Sequence, residues 1–148
     1  LASFEAEADG HSLVPEPYSD ARPKNGLLRL LSPASPWLVN NSFGNDPKIE
    51  VQLGPASITI NPEEAKARGL VEGHAVAVSN KTGRLSLQLK LSDDVPMGVA
   101  LSYKGRWPKR QSDHANINVL NPGLKSDMGE STSVHNVEVS LSSHDFTK

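Results

Sequence analysis

The chain contains no cysteine. That absence excludes disulfides, zinc–thiolate centres, iron–sulfur ligation and a cysteine nucleophile within its 148 residues. It does not fix the compartment, cytoplasmic or periplasmic. No apolar run approaches the ~20 residues that a membrane helix needs, and the opening "LASFEAEADGHS" lacks the basic start and apolar centre of a signal peptide. There is no excess of positive charge: the net charge is −2, which argues against a nucleic-acid partner. No G-x-S-x-G elbow, phosphate-binding P-loop or G-x-G-x-x-G stretch occurs. The five histidines (His11, His74, His114, His135, His144) show no paired ligand spacing, so no metal site is expected. Asp93-Asp94 is the one adjacent acid pair flanked by strands, and its Val-Pro-Met-Gly sequel reads as a solvated turn.

What remains is a soluble composition, 36% hydrophobic and 22% charged, at a one-domain length with room for a core. Residues 1–26 form an expected arm or linker. Up to Asp20 it carries Glu5, Glu7, Asp9, Glu16 and Asp20 with no Lys or Arg, and Pro15, Pro17 and Pro23 disfavour a packed element. From residue 27 to 148 the pattern changes to short strands. Leu27–Leu31 is an apolar run ended by Ser-Pro, and Ser57–Asn61 alternates with β-branched residues. Ala75–Ser79, Leu85–Leu91, Val99–Tyr103 and Asn136–Ser142 follow, with Leu85, Leu87, Leu89 and Leu91 sharing one face. One short helix is expected from Pro62. Asn61 is its N-cap, Glu63 and Glu64 lie near its positive end, and Gly69 stops it. Many short strands with so little helix predict a barrel rather than a layered α/β sheet. No second copy of the helix unit is visible in the sequence.

Two loops carry the remaining chemistry. Ser32–Asn45 is rich in Ser and Asn, with Trp37 and Phe43 interleaved. Tyr103–Asn121, "YKGRWPKRQSDHANINVLN", gathers Lys104, Arg106, Lys109 and Arg110 around Trp107, then Asn116, Asn118 and Asn121. Asparagine amides offer donors and acceptors to a heteroaromatic edge, Lys and Arg suit phosphate, and Trp offers a stacking face. Such a set suits a large ligand with a polar ring system and a pyrophosphate. An ordinary polar surface has the same composition, and composition alone leaves both readings open.

Order along the chain adds a further indication. From about Leu27 to Leu141 the sequence resembles the C-terminal molybdopterin-dinucleotide-binding domain of the molybdopterin oxidoreductases, which include formate dehydrogenases, thiosulfate, nitrate and sulfoxide reductases. "SPASPWLVNNSFGN", "ITINPEEAKARGLVEGHAVAVSNKTG", "VPMGVALSYKGRW", "NINVLNP" and "DMGEST…VEV" resemble that family's successive motifs. Where the family commonly has Asp, this chain has Glu64 and His74; Asn121 replaces a Thr, and Ser35 stands about where an Arg is often found.

The resemblance implies a mainly β fold, a six-stranded double-psi β-barrel like that of aspartate decarboxylase, with one or more short helices. It implies a loop site for part of a bis-molybdopterin guanine dinucleotide carrying molybdenum or tungsten. Ser32, Ser35, Asn41, Ser42, Lys104, Trp107, Asn116 and Asn118 would bind it, and no catalytic residue would lie in this chain. Metal ligand and clusters would belong to the iron–sulfur and molybdopterin domains of the same catalytic subunit. The isolated chain is expected to hold no cofactor and to turn over nothing. The missing initiator methionine and the acidic arm lead us to expect a domain excised from a longer subunit rather than a separate small one. The alternative is a protein-interaction barrel like the N-terminal domains of AAA ATPases, which would need neither "NNSF" nor "NINVLN". A self-processing decarboxylase is set aside, because its Gly-Ser cleavage dipeptide is absent.

Overall fold

Alternation is the local rule from which the architecture follows. In a computed structural model, which describes residues 23–24, 26–125, 130, 132, 134 and 137–143, six strands form: β1 (Leu28–Leu31), β2 (Ser57–Ile60), β3 (Ala75–Ser79), β4 (Arg84–Leu91), β5 (Val99–Leu101) and β6 (Val137–Ser143). Successive side chains point to opposite faces of a strand, so Leu85, Leu87 and Leu89 all turn inward and are buried. Leu91, at the strand end, is partly buried against the same cluster. Leu28, Leu30, Ile58, Ile60, Val76, Val78, Val137 and Val139 join them in one core cluster, together with Ala100, Leu141 and residues from α2 and the connections. The strands close into a barrel in the order β1-β5-β2-β4-β3-β6.

Pairing direction gives the barrel its character. β1 runs parallel to β5 and β2 parallel to β4, while the other four contacts are antiparallel. Exchanging β1, β2, β3 with β4, β5, β6 reproduces every pairing, so the barrel has a pseudo-two-fold that the sequence hides. β1 reaches β2 by passing over β5, and β4 reaches β5 by passing over β2. These two crossed connections make a double-psi β-barrel.

Two helices form rather than the one expected. Helix α1 (Pro47–Leu53) was not foreseen, although it starts with the same grammar as the helix that was. Asp46 caps it, accepting from the Lys48 N–H at 2.8 Å, Pro47 occupies the first turn, and Gly54 (φ 56°) ends it. No residue of α1 is buried, which removes the apolar stripe that marks a helix in sequence. Helix α2 (Pro62–Ala67) follows the expected design: Asn61 accepts from the Glu63 N–H at 2.9 Å and donates to the Val95 carbonyl at 3.0 Å.

Strand β5 stops at Leu101, short of the expected Tyr103. The parallel ladder continues through Ser102 N–H to Leu31 and Lys104 N–H to Pro33, both near 3 Å, but Pro33 has no N–H with which to return a bond. Only the bridge Ala34–Lys104 remains beyond it.

Glu64 and His74, the family departures, fall in structural positions. The Glu64 carboxylate receives Arg68 at 2.7 Å and the Gly98 N–H at 3.2 Å, and Arg68 also reaches the Gly26 carbonyl at 3.0 Å. One ion pair thereby ties α2 to the turn before β5 and the entry to β1. His74 is exposed and contributes backbone bonds only. Asp93 and Asp94 lie exposed in the turn after β4. The arm is outside the described residues except at Pro23, Lys24 and Gly26, and so are His11, His135 and His144.

The register makes a sharp demand on Leu87, 5% exposed in the barrel wall. Leu87→Asp should lose on the order of 4 kcal/mol or more, through a charge buried without a partner. Lys90→Glu, on the outer face of the same strand, should stay within about 0.5 kcal/mol of the parent. Urea melts of the two variants read the difference, and equal midpoints would refute the register.

Candidate functional site

Parallel pairing of β1 and β5 places their C-terminal ends side by side, and both ends open into long connections, residues 32–56 and 102–136. Where the two connections meet, a cavity of about 780 Å³ forms. Its apolar lining is Leu30 and Val137 from the barrel strands and Ile117 from the second connection, and its rim comes from both loops. The rim holds five asparagines (Asn40, Asn41, Asn116, Asn118, Asn121) and three cations (Lys104, Arg106, Lys109). Among the described residues no carboxylate, histidine or tyrosine lines it.

Six of the eight residues expected at a site line this cavity: Ser32, Asn41, Lys104, Trp107, Asn116 and Asn118. Ser35 and Ser42 do not. Ser35 is buried and accepts from the Trp37 N–H at 3.2 Å, holding the turn of the first loop. Ser42 is exposed and bonds through its backbone to Val39. Asn40, Arg106, Lys109 and Asn121 also line the cavity; the last three belonged to the ligand-suited loop set but not to the eight expected binding residues. Their available signal was position: Asn40 adjoins Asn41, and Asn121 follows Asn118 after one turn of 3₁₀ helix.

The second loop is shaped by a 3₁₀ turn at Ile117–Leu120. Ile117 and Leu120 are buried in the barrel core, which fixes the turn and leaves Asn118 exposed at the cavity. Asn116 caps the turn, accepting from the Asn118 N–H at 3.0 Å, and donates to the Arg106 carbonyl at 2.8 Å. Its amide is thus largely engaged within the loop. The side-chain amides of Asn40, Asn41 and Asn118 have no protein partner among the described residues.

The cations divide in the same way. Arg106 spans from the second loop to the end of α1, donating through Nη2 to the carbonyls of Leu53 (2.9 Å) and Pro55 (3.1 Å). Its burial lowers the guanidinium pKa from the ordinary arginine value, and carbonyl dipoles at a helix end are suitable partners for such a charge. Arg110 donates to the Gly44 carbonyl at 2.8 Å and lies 3.7 Å from Glu50. Trp107 donates its indole N–H to the Asn41 carbonyl at 2.7 Å, and the Lys109 ammonium stands 4.9 Å from its ring centroid. Arg106, Trp107 and Arg110 therefore latch the second loop onto the first. Lys104 is left without an ion pair or side-chain hydrogen bond among the described residues.

The latch closes over one glycine. Gly105 has φ +106°, and a Cβ there would lie 2.3 Å from the Asn40 carbonyl oxygen. No L side chain fits both the dihedral and the approach. Asn40 itself is left-handed at φ 57°, a conformation asparagine tolerates.

A double-psi β-barrel whose β1–β2 and β5–β6 connections widen into a polar cavity, with no carboxylate on its wall among the described residues, is the class that the fold and site define. Within it, residues 28–138 match the family model described as "Molydopterin dinucleotide binding domain", and the chain belongs to that family. It is 33% identical over 92 residues to "Probable oxidoreductase YoaE" of Bacillus subtilis (strain 168), covering 62% of this chain and 13% of that protein. It is 30% identical over 103 residues to "Trimethylamine-N-oxide reductase 1" of Escherichia coli (strain K12), covering 64% of this chain and 12% of the other. The barrel superposes on the structure of acetylene hydratase from Pelobacter acetylenicus with a TM-score of 0.70 at 16% identity, over 78% of this chain and 18% of that one. The chain spans about an eighth of the length of these curated relatives.

Gly98 supplies the comparison that isolates the crossing. It too has a positive φ (+78°), but a Cβ there would meet nothing within 4 Å. Gly98→Ala should cost about 1 kcal/mol from the dihedral alone. Gly105→Ala should cost on the order of 3 kcal/mol or more, because backbone must also move. It should also shift the Trp107 indole N–H resonance toward that of a solvated ring. Equal melts for the two variants would show that the loops do not cross as closely as described.

Proposed function

We propose that the cavity holds part of a molybdopterin guanine dinucleotide within a larger molybdenum or tungsten oxidoreductase, and that this chain binds and orients the cofactor without reacting. The observation that carries the reading is the donor set: unengaged asparagine amides and cations, with no carboxylate on the wall among the described residues. That chemistry fits the group. A pterin edge alternates donors and acceptors, which amides satisfy in both directions. A pyrophosphate needs cations, and a nearby carboxylate would oppose it. The volume, about 780 Å³, falls in the range of cofactor pockets. Family membership supports the same assignment.

The roles follow from what each group has left to offer. Asn118, Asn41 and Asn40 serve the ring edge, Lys104 a phosphate, and Ser32 adds a hydrogen bond. Trp107 and Asn116 shape the wall, with Lys109 over the indole as a second cation. Ser35 and Ser42 take no part. When bound, the cofactor supplies the metal and its redox chemistry; these residues hold it and keep water from its ring edge. The metal ligand and any iron–sulfur clusters belong to other domains of the parent subunit, and the isolated chain is inactive. An interaction barrel of the AAA-ATPase type gives no account of the unengaged amides, so we set it second.

The test uses the full-length parent enzyme. Asn118→Ala, Lys104→Ala and Lys66→Ala are introduced separately and bound molybdopterin per chain is measured. Leaving ring groups unpaired in a largely dry pocket costs roughly 1–3 kcal/mol, about one to two decades in affinity. The first two variants should lose cofactor by that measure. Lys66, exposed on α2, should change nothing. Full retention in both loop variants would overturn the assignment and leave the fold standing.

A further inference from the structure

Sharing Lys104 and Arg106 with the cavity, a second surface groove of about 230 Å³ lies beside it. Pro36, Trp37 and Tyr103 line it, and the two aromatics are 48% and 47% exposed. Lys90, Lys104 and Arg106 border it, and among the described residues no Asp or Glu does. Lys90 and Lys104 have no ion pair among the described residues. Half-exposed Trp and Tyr beside a proline form the kind of surface that takes an extended, proline-containing segment, whose preformed backbone lowers the ordering cost. The surrounding charge requires that segment to be acidic.

The chain carries such a segment. Leu13–Asp20 reads "LVPEPYSD", with Pro15, Pro17 and Tyr18 interleaved with Glu16 and Asp20, and the twenty residues up to Asp20 contain no Lys or Arg. We propose that the groove seats this segment of the same chain, prolines against Trp37 and Tyr103 and carboxylates toward Lys90 and Lys104. Length permits it. From Leu27 to Pro36 the chain advances at most about 30 Å. In the extended proline conformation the stretch from Leu13 to Pro23 covers about 31 Å. A segment of that length has the reach to bring Pro15–Tyr18 from the entry of β1 to the groove. Lys104 borders both groove and cavity, so a seated arm and an anion in the cavity draw on the same cation.

The absence of cysteine makes the test direct. In the full 148-residue chain, Ser19→Cys carries a nitroxide, and the two tryptophan indole N–H resonances are compared in the paramagnetic and reduced states. Trp37 should lose more than half its intensity and more than Trp107. The loss should vanish in a Glu16→Lys/Asp20→Lys variant, and also near 1 M salt, where the screening length falls to about 3 Å. All three positions precede β1, so the sequence of the barrel is unchanged and folding is not at risk. Unchanged Trp37 intensity would overturn the proposal, as would a loss that survives charge reversal and salt. A loss seen only when spin-labelled chains are mixed with isotope-labelled ones would place the arm on a second copy and overturn it too.

Discussion

The parallel pairing of β1 with β5 is the constraint on which the rest depends. Parallel neighbours end on the same side, so two connections that are remote in sequence must leave the barrel together. In most sheets a crossover helix would separate them. Here the strands close into a barrel, and the connections pass over one another at contact distance. Trp107 reaches Asn41 and Arg110 reaches Gly44 across 66 residues of sequence. The pseudo-two-fold repeats this plan, but only the β1–β2 and β5–β6 connections are widened; residues 92–98, the other crossing, form a short turn. The cavity lies where the two widened connections adjoin.

A cluster of basic residues beside a tryptophan invites a reading as a ligand surface, and the structure divides that cluster by where each charge finds compensation. Arg106 satisfies two carbonyls at the end of α1, and Arg110 one carbonyl and a distant carboxylate. Planar guanidinium forks suit such fixed backbone targets better than an ammonium does. Of the three cations that line the cavity, the two lysines, with compact charges on flexible stems, make no hydrogen bond to a backbone carbonyl among the described residues. Arginines thereby become structure and lysines become the groups available to a ligand.

The fold was legible in the sequence because its signals are local. The Leu85–Leu91 alternation and the Asn61-Pro62 cap each act within a few residues, and the structure reproduces both. Helix α1 escaped because Asp46-Pro47 leads into "KIEVQL", whose residues alternate like a strand and of which none is buried. Within the site, the asparagine loops were legible as a group, whereas the separation of Asn116 from Asn118 was not. It is set by the carbonyl of Arg106 and by the burial of Ile117 and Leu120, which point one amide inward and its neighbour out. Ser35 and Ser42 were drawn in by the resemblance of the first loop to the family's motif. A serine's partner in a tight loop is usually its own backbone, and Ser35 follows that rule at Trp37.

The chemistry that the cavity omits defines what it can do. Proton transfer is most often carried by histidine or a carboxylate of suitable pKa, and neither lines the wall among the described residues. The side chains there that keep free capacity are amides, a hydroxyl, ammonium groups and the remaining N–H donors of Arg106. Amides bind without changing charge, and an ammonium holds an anion without competing for its proton at neutral pH. Such a wall is suited to holding a ligand by position. On the proposed reading that is the required division: the reactive centre comes with the cofactor, and the barrel's rigidity fixes where it sits. The loop latch then matters as much as the contacts. An amide can discriminate a ring edge only if the carbonyls and guanidiniums behind it hold it still.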